Sequence, residues 1–178
     1  MAVLSLNAAD SCKYLSVIIN YPVTVATNVT LEITNAAGTN IAGGINTTFS
    51  LTPGAGAISY PIPVVNLSVN YGVVMITLVT TANNTALSEP VAVLLHCDID
   101  CCLTKLTNEL IDCACDCAKC ATSLAKAQKI FLLLQSANYA LVQANDSEAS
   151  ARPGFIKDAN SKYLKAKEIC DDSCGCNC

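Results

Sequence analysis

Tryptophan is absent from this chain, and histidine occurs once, at His96. A single imidazole without clustered acids leaves no Ser-His-Asp triad and no acid pair, so an enzyme is not expected. No glycine-rich loop opens a helical stretch, which excludes a phosphate cradle; Gly38, Gly43 and Gly44 fall in turn-like sequence. Charge is also scarce: charged residues make up 13% of the chain and the net charge is −4. Without a basic patch, direct binding of nucleic acid is not expected. No run of 18 apolar residues occurs, which argues against membrane insertion. The opening Met-Ala-Val-Leu-Ser-Leu-Asn lacks the basic flank and long apolar core of a signal peptide, so a protein working outside a cell is expected either not to have used that route or to have had its signal removed.

What is plentiful is apolar residues, at 52%, and cysteine, at 12. The two are distributed unevenly. Residues 1–96 hold one cysteine (Cys12), one lysine (Lys13) and three acids (Asp10, Glu32, Glu89). Residues 97–178 hold eleven cysteines, nine basic residues and eleven acids. The composition changes at His96-Cys97, and two domains are expected, 1–96 and 97–178.

The first domain reads as strands. Residues 12–19 form a first apolar run, and Val23, Val25, Val29, Leu31 and Ile33 follow at period two. Asn35-Ala-Ala-Gly38 has turn chemistry. Residues 47–51 make another strand, closed by Pro53-Gly54. Ile58 and Tyr60 run into Pro61 and Pro63, which exclude a central strand and suggest an edge or a crossing. Residues 73–81 are the strongest strand, and 87–95 the last. Six or seven short strands rich in Val, Ile and Thr predict an antiparallel β-sandwich. The pattern resembles immunoglobulin-like modules without their central tryptophan and paired cysteines. Sequons at Asn28, Asn46, Asn66, Asn83 and Asn145 are read as chance matches in a chain so rich in Asn and Thr.

The second domain reads as helix. Taken at alternating steps of four and three, Ile99, Leu103, Leu106, Leu110, Cys113, Cys117, Cys120, Leu124, Ala127, Phe131, Leu134, Asn138 and Leu141 form one seam, broken only by Asn138. The seam holds no Pro or Gly and predicts one long helix over about 98–143, with Asp98 or Asp100 as N-cap. A return helix over about 155–170 carries Ile156, Ala159, Tyr163, Ala166 and Cys170 at the same steps. The fold expected is therefore α+β, a β-sandwich followed by a cysteine-rich α-helical hairpin. A hairpin pivoting near residue 149 sets Ile156 against Leu141 or Val142. It also returns Cys170, Cys174, Cys176 and Cys178 close to Cys113, Cys115, Cys117 and Cys120.

Three chemistries suit those eight thiols. Disulfides would lace the hairpin, a bridge across a loop of some 50 residues stabilising by roughly 3–5 kcal/mol. Structural zinc, the one cofactor considered, needs four thiolates per site and would use all eight for two sites. Redox chemistry by Cys117-Ala-Lys-Cys120 is disfavoured, because the pair is expected mid-helix rather than at a helix start after a strand. Cys12 either bridges to Cys97, Cys101 or Cys102 at the junction or is a small buried hydrophobe. His96 is expected to be a surface or hydrogen-bonded junction residue rather than a metal ligand.

Leu94-Leu95-His96-Cys97-Asp98-Ile99-Asp100-Cys101-Cys102-Leu103, Cys113-Ala-Cys-Asp-Cys-Ala-Lys-Cys120 and Ile130-Phe-Leu-Leu-Leu-Gln-Ser-Ala137 together resemble small cysteine-rich structural proteins of tailed bacteriophages. The resemblance covers about residues 90–178. It implies a virion component of capsid, neck or tail, located in the virion and partnered by subunits of the same assembly, with no catalytic residues. The alternative is a secreted or cell-surface adhesion module on a disulfide-stapled stalk; a metal-storage or redox protein is a third reading. A long helix only partly covered by its return arm leaves exposed either its Ile99 to Leu110 end or the flank opposite the hairpin; Leu103, Leu106 and Leu110 then form an apolar stripe to be covered by the β domain, a second copy or another protein, and a homo-oligomer or permanent partner is expected there.

Overall fold

The computed structural model describes residues 5–10, 12–20, 25–54, 57–112 and 117–174. Among the described residues seven strands are followed by three α-helices: β1 Ser5–Asp10, β2 Tyr14–Asn20, β3 Thr27–Asn35, β4 Thr48–Leu51, β5 Ala57–Pro63, β6 Gly72–Thr80, β7 Val91–Leu95, α1 Cys97–Asp112, α2 Cys117–Asp146 and α3 Arg152–Cys174. The chain divides into two units, Met1–Leu95 and His96–Cys178.

The strands of the first unit form a three-stranded sheet, β1-β2-β5, and a four-stranded sheet, β4-β3-β6-β7, with every pairing antiparallel. Period-two alternation decides which residues face inward. Leu15, Val17 and Ile19 of β2 and Ile62 of β5 meet Val29, Leu31 and Ile33 of β3 and Val74, Ile76 and Leu78 of β6 in one buried core. The two prolines of β5 lie on a sheet edge, where a missing N–H on the outward side leaves no ladder bond unmade. Beside this edge, Tyr60 stacks on Phe49 of β4 with ring centroids 5.0 Å apart, and its hydroxyl donates to the Asn46 carbonyl at 2.6 Å. That contact ties the edges of the two sheets together.

Two details were not expected. The series of strands begins earlier, with β1, whose Ala8-Ala9-Asp10 has little β propensity and is held by its ladder with β2. The asparagines of the sequons also have structural work. Asn46 Oδ1 accepts from the Thr48 N–H at 3.1 Å, Asn83 Oδ1 from the Thr85 N–H at 3.3 Å, and Asn28 Oδ1 from the Ser50 hydroxyl at 2.5 Å. At the end of the sandwich Gly43 has φ +62°, and a Cβ there would stand 2.9 Å from the Asn66 carbonyl oxygen, so only glycine fits.

The second unit corrects the expectation of one long helix. Glu109 of α1 and Ser123 of α2 are hydrogen-bonded at 3.1 Å. In a continuous helix, residues 14 positions apart stand about 21 Å apart along the axis. The seam therefore runs along two helices that fold against each other. Cys and Asp, which fill most of 113–117, are weak helix formers. An unbroken apolar period does not distinguish a rod from two helices that fold against each other.

α3 runs antiparallel to α2, as the expected hairpin requires, and its range extends beyond the expected 155–170 at both ends. Asp98 near the start of α1 meets Tyr163 and Lys167 of α3, which makes α1 parallel to α3 and completes a three-helix bundle. α1 buries Ile99, Cys102 and Leu106; α3 buries Arg152, Ile156, Ala159, Tyr163, Ala166 and Cys170. Both rows keep steps of three and four. Leu106 is only 2% exposed in the single chain, and Leu103 and Leu110 are half-buried. The stripe expected to need an external partner is thus largely covered without one.

Candidate functional site: the cysteine-bearing helical bundle

At its start, α1 is capped by the His96 carbonyl, which accepts from the amides of Ile99 at 2.9 Å and Asp100 at 3.1 Å. Asp98 and Asp100 lie in the first turn rather than at the N-cap, where their charge still favours the positive end of the helix. His96 Nδ1 stands 3.0 Å from Asp100 Oδ1, one turn on, and the histidine is a hydrogen-bonded junction residue.

Asp98 is the polar centre of the bundle. Its Oδ2 accepts from the Tyr163 hydroxyl at 2.8 Å and lies 3.3 Å from Lys167 Nζ. Oδ1 is buried without a hydrogen-bond partner among the described residues. Lys167 also reaches Asp171 at 3.3 Å. Desolvation pulls the Lys167 pKa down, but its hydrogen bonds to Asp171 and Asp98, with the charges of both carboxylates, outweigh this and raise it above the ordinary lysine value.

At the far end, Arg152 is buried and binds the turn between α2 and α3. Its Nε donates to the Ala144 carbonyl at 3.1 Å and its terminal guanidinium nitrogen to the Ser147 carbonyl at 3.2 Å. A cation on the last carbonyls of a helix satisfies acceptors that have no intrahelical partner and opposes the dipole. Sequence reasoning passed over Arg152 and read Asp98 only as a candidate N-cap. The steps of four and three ending at Arg152 were the available signal for the first; nothing local signals the second.

Cys12, Cys97, Cys101 and Cys120 are disulfide-bonded. Cys12 is exposed at φ 63°, which overturns its reading as a small buried hydrophobe. Cys102 and Cys170 are buried thiols, each on the inward row of its helix. Cys117-Ala-Lys-Cys120 opens α2 instead of lying within a helix, and the element before it is α1. A sulfur held in a disulfide offers no thiolate to zinc, so Cys120 is not a ligand in this state. Of the other expected ligands, Cys113, Cys115, Cys176 and Cys178 lie outside the described residues, and the side chains of Cys117 and Cys174 also lie outside them. The end of α1, the start of α2 and the end of α3 nevertheless share one end of the bundle, from which those segments issue. Among the described residues no group of three or more His, Cys, Asp or Glu side chains is arranged to hold a metal ion. Among them, too, no helix is long and apolar enough to cross a membrane.

α2 carries two apolar faces. Ser123, Ile130, Leu134, Ala137, Leu141 and Ala144 are buried, with Ala127 half-buried between them. Leu124, Phe131, Leu132, Tyr139 and Val142 are exposed. The expected seam named Leu124, Phe131 and Asn138 as inward positions, and these point outward. The true row shares Ala127, Leu134 and Leu141 with it but steps by three where the expectation stepped by four.

No protein-family model matches the chain, and no curated protein resembles it significantly.

Proposed function

We propose that this chain is a non-enzymatic structural component of a virion, of the cysteine-rich kind encoded by tailed bacteriophages, and acts through contacts with neighbouring subunits. The observation that carries the reading is the outward apolar face of α2, where Phe131 is 61% and Tyr139 65% exposed. Soluble chains seldom leave such a face bare, and a subunit contact covers it. The division of strands into β1-β2-β5 and β4-β3-β6-β7 supports an immunoglobulin-like sandwich as the module in front of the bundle. Mass spectrometry of gradient-purified particles from the source culture tests the proposal. Peptides of this chain should co-purify with the particles at a fixed ratio to their other proteins. Their confinement to the soluble fraction would overturn it.

A second reading has one observation in its favour. Disulfides at Cys12, Cys97, Cys101 and Cys120 suit an oxidising, extracellular setting. On that reading the sandwich is an adhesion module and the bundle its stalk. A chain that stays monomeric and binds cell-surface glycan by itself supports this alternative.

A further inference from the structure

On a helical wheel of 100° per residue, Leu124, Phe131, Leu132, Tyr139 and Val142 fall within an arc of about 100°. The centre of the arc lies about 140° round α2 from the buried row. Gln128 and Gln135 fall in the same arc, and from 121 to 142 it contains no Asp, Glu, Lys or Arg. Lys126 and Lys129 lie outside it. The face is therefore long (about 27 Å from Leu124 to Val142), apolar and uncharged.

We infer that this face is a homodimer contact, in which α2 packs antiparallel on α2 of a second copy about a twofold axis near residue 133. The inference rests on the subunit-contact reading above and gives it a surface and an occupant. The first argument is area. The five side chains are between 46% and 65% exposed, which leaves on the order of 500 Å² of apolar surface on one copy. Two copies together remove about 1,000 Å² from water, enough for a specific interface. The second argument is charge. A partner with charged groups opposite this arc would strip them of water without offering a counter-charge. A second copy brings no charge between Leu124 and Val142, Asp146 lying on the same arc one turn beyond the paired stretch, and its glutamines supply donors and acceptors to each other. The third is symmetry. An antiparallel pairing sets Leu124 opposite Val142 and Phe131 opposite Gln135 of the other copy, so each end of the face meets its complement and the contact closes.

The test is the mass of the intact chain in solution, followed by sedimentation across a concentration series with free thiols blocked. The native chain should be a dimer. Leu132→Glu and Leu132→Lys, both at an exposed position near the axis, should each halve the mass while leaving the circular dichroism unchanged. Mixed in equal amounts, the two variants should regain the dimer, because residues near a twofold axis meet their own counterparts. A native chain that is monomeric throughout, a dimer that survives Leu132→Glu, or a dimer that disappears on reduction alone would each overturn the inference. The two readings fail separately. A particle-borne chain that is monomeric in solution sinks the α2 contact and spares the virion role; a dimer through α2 that is absent from particles does the reverse.

Discussion

The Tyr163 hydroxyl donates a hydrogen bond to Asp98 Oδ2 across 2.8 Å, joining residues 65 positions apart. The ring of Tyr163 is fully buried, among the largest side chains so enclosed. The contact fixes α3 beside α1 in a way that the apolar rows alone do not, since rows at steps of three and four slide by a turn at little cost.

Tyr163→Phe isolates the hydrogen bond. The ring is retained and no cavity opens, while Asp98 keeps only Lys167. A loss of about 1–3 kcal/mol is expected, because the bond removed is one to a part-buried carboxylate. Urea unfolding followed by circular dichroism measures it; an unchanged midpoint would show that the bond adds nothing to stability.

Ile130→Ala and Phe131→Ala test which frame of α2 faces inward. Ile130 is 0% exposed and its truncation should destabilise the bundle by about 2–4 kcal/mol. Truncation of the larger Phe131 should change the stability of the isolated chain by about 0.5 kcal/mol or less. The reverse order would return the seam to the frame read from sequence.

That frame error shows how far pattern alone reaches. From Ala127 a step of three leads to Ile130 and a step of four to Phe131, and both are apolar. One heptad later the same choice falls between Ala137 and Asn138. Asn138 was the only polar residue in the expected seam, and choosing Ala137 removes it. The signal was present but was treated as an exception. In α3 no such ambiguity exists: Ile156, Ala159, Tyr163, Ala166 and Cys170 have mostly polar neighbours, and all five are buried as expected. In the sandwich, strand alternation and the edge position of Pro61 and Pro63 were legible because period and proline chemistry are local. The fold between α1 and α2, the Asp98–Tyr163 bond and the outward face of α2 depend on which helices meet, and no local pattern encodes that.

Leu106→Glu now carries a different expectation from the one its place in a stripe suggested. A carboxylate at a position 2% exposed must be desolvated or protonated. The bundle should lose several kcal/mol, with helical ellipticity melting at lower temperature, instead of an oligomer dissociating into folded chains. Leu106→Met, which keeps volume and polarity, should be tolerated within about 1.5 kcal/mol. A folded, fully helical Leu106→Glu monomer would contradict the burial.

The pH dependence of the Lys167 contacts follows from the direction of its shift. Its pKa in the folded chain is raised, so the protonated form is favoured by folding. The stabilisation is fully present below the unfolded lysine value of about 10.4 and is lost as pH rises through the higher folded value. The difference in melting temperature between the native chain and Lys167→Met should therefore shrink as pH rises above about 10. Tyrosines and thiols ionise in the same alkaline range, but they are common to both chains and largely cancel in the difference. Because Lys167 is part-exposed, moderate salt should reduce the difference at every pH. Parallel thermal melts of the two chains across an alkaline series decide the matter. A difference that persists unchanged to the highest pH would mean that Lys167 stabilises α3 by packing of its aliphatic stem over the bundle, with the charge on Asp98 and Asp171 contributing nothing.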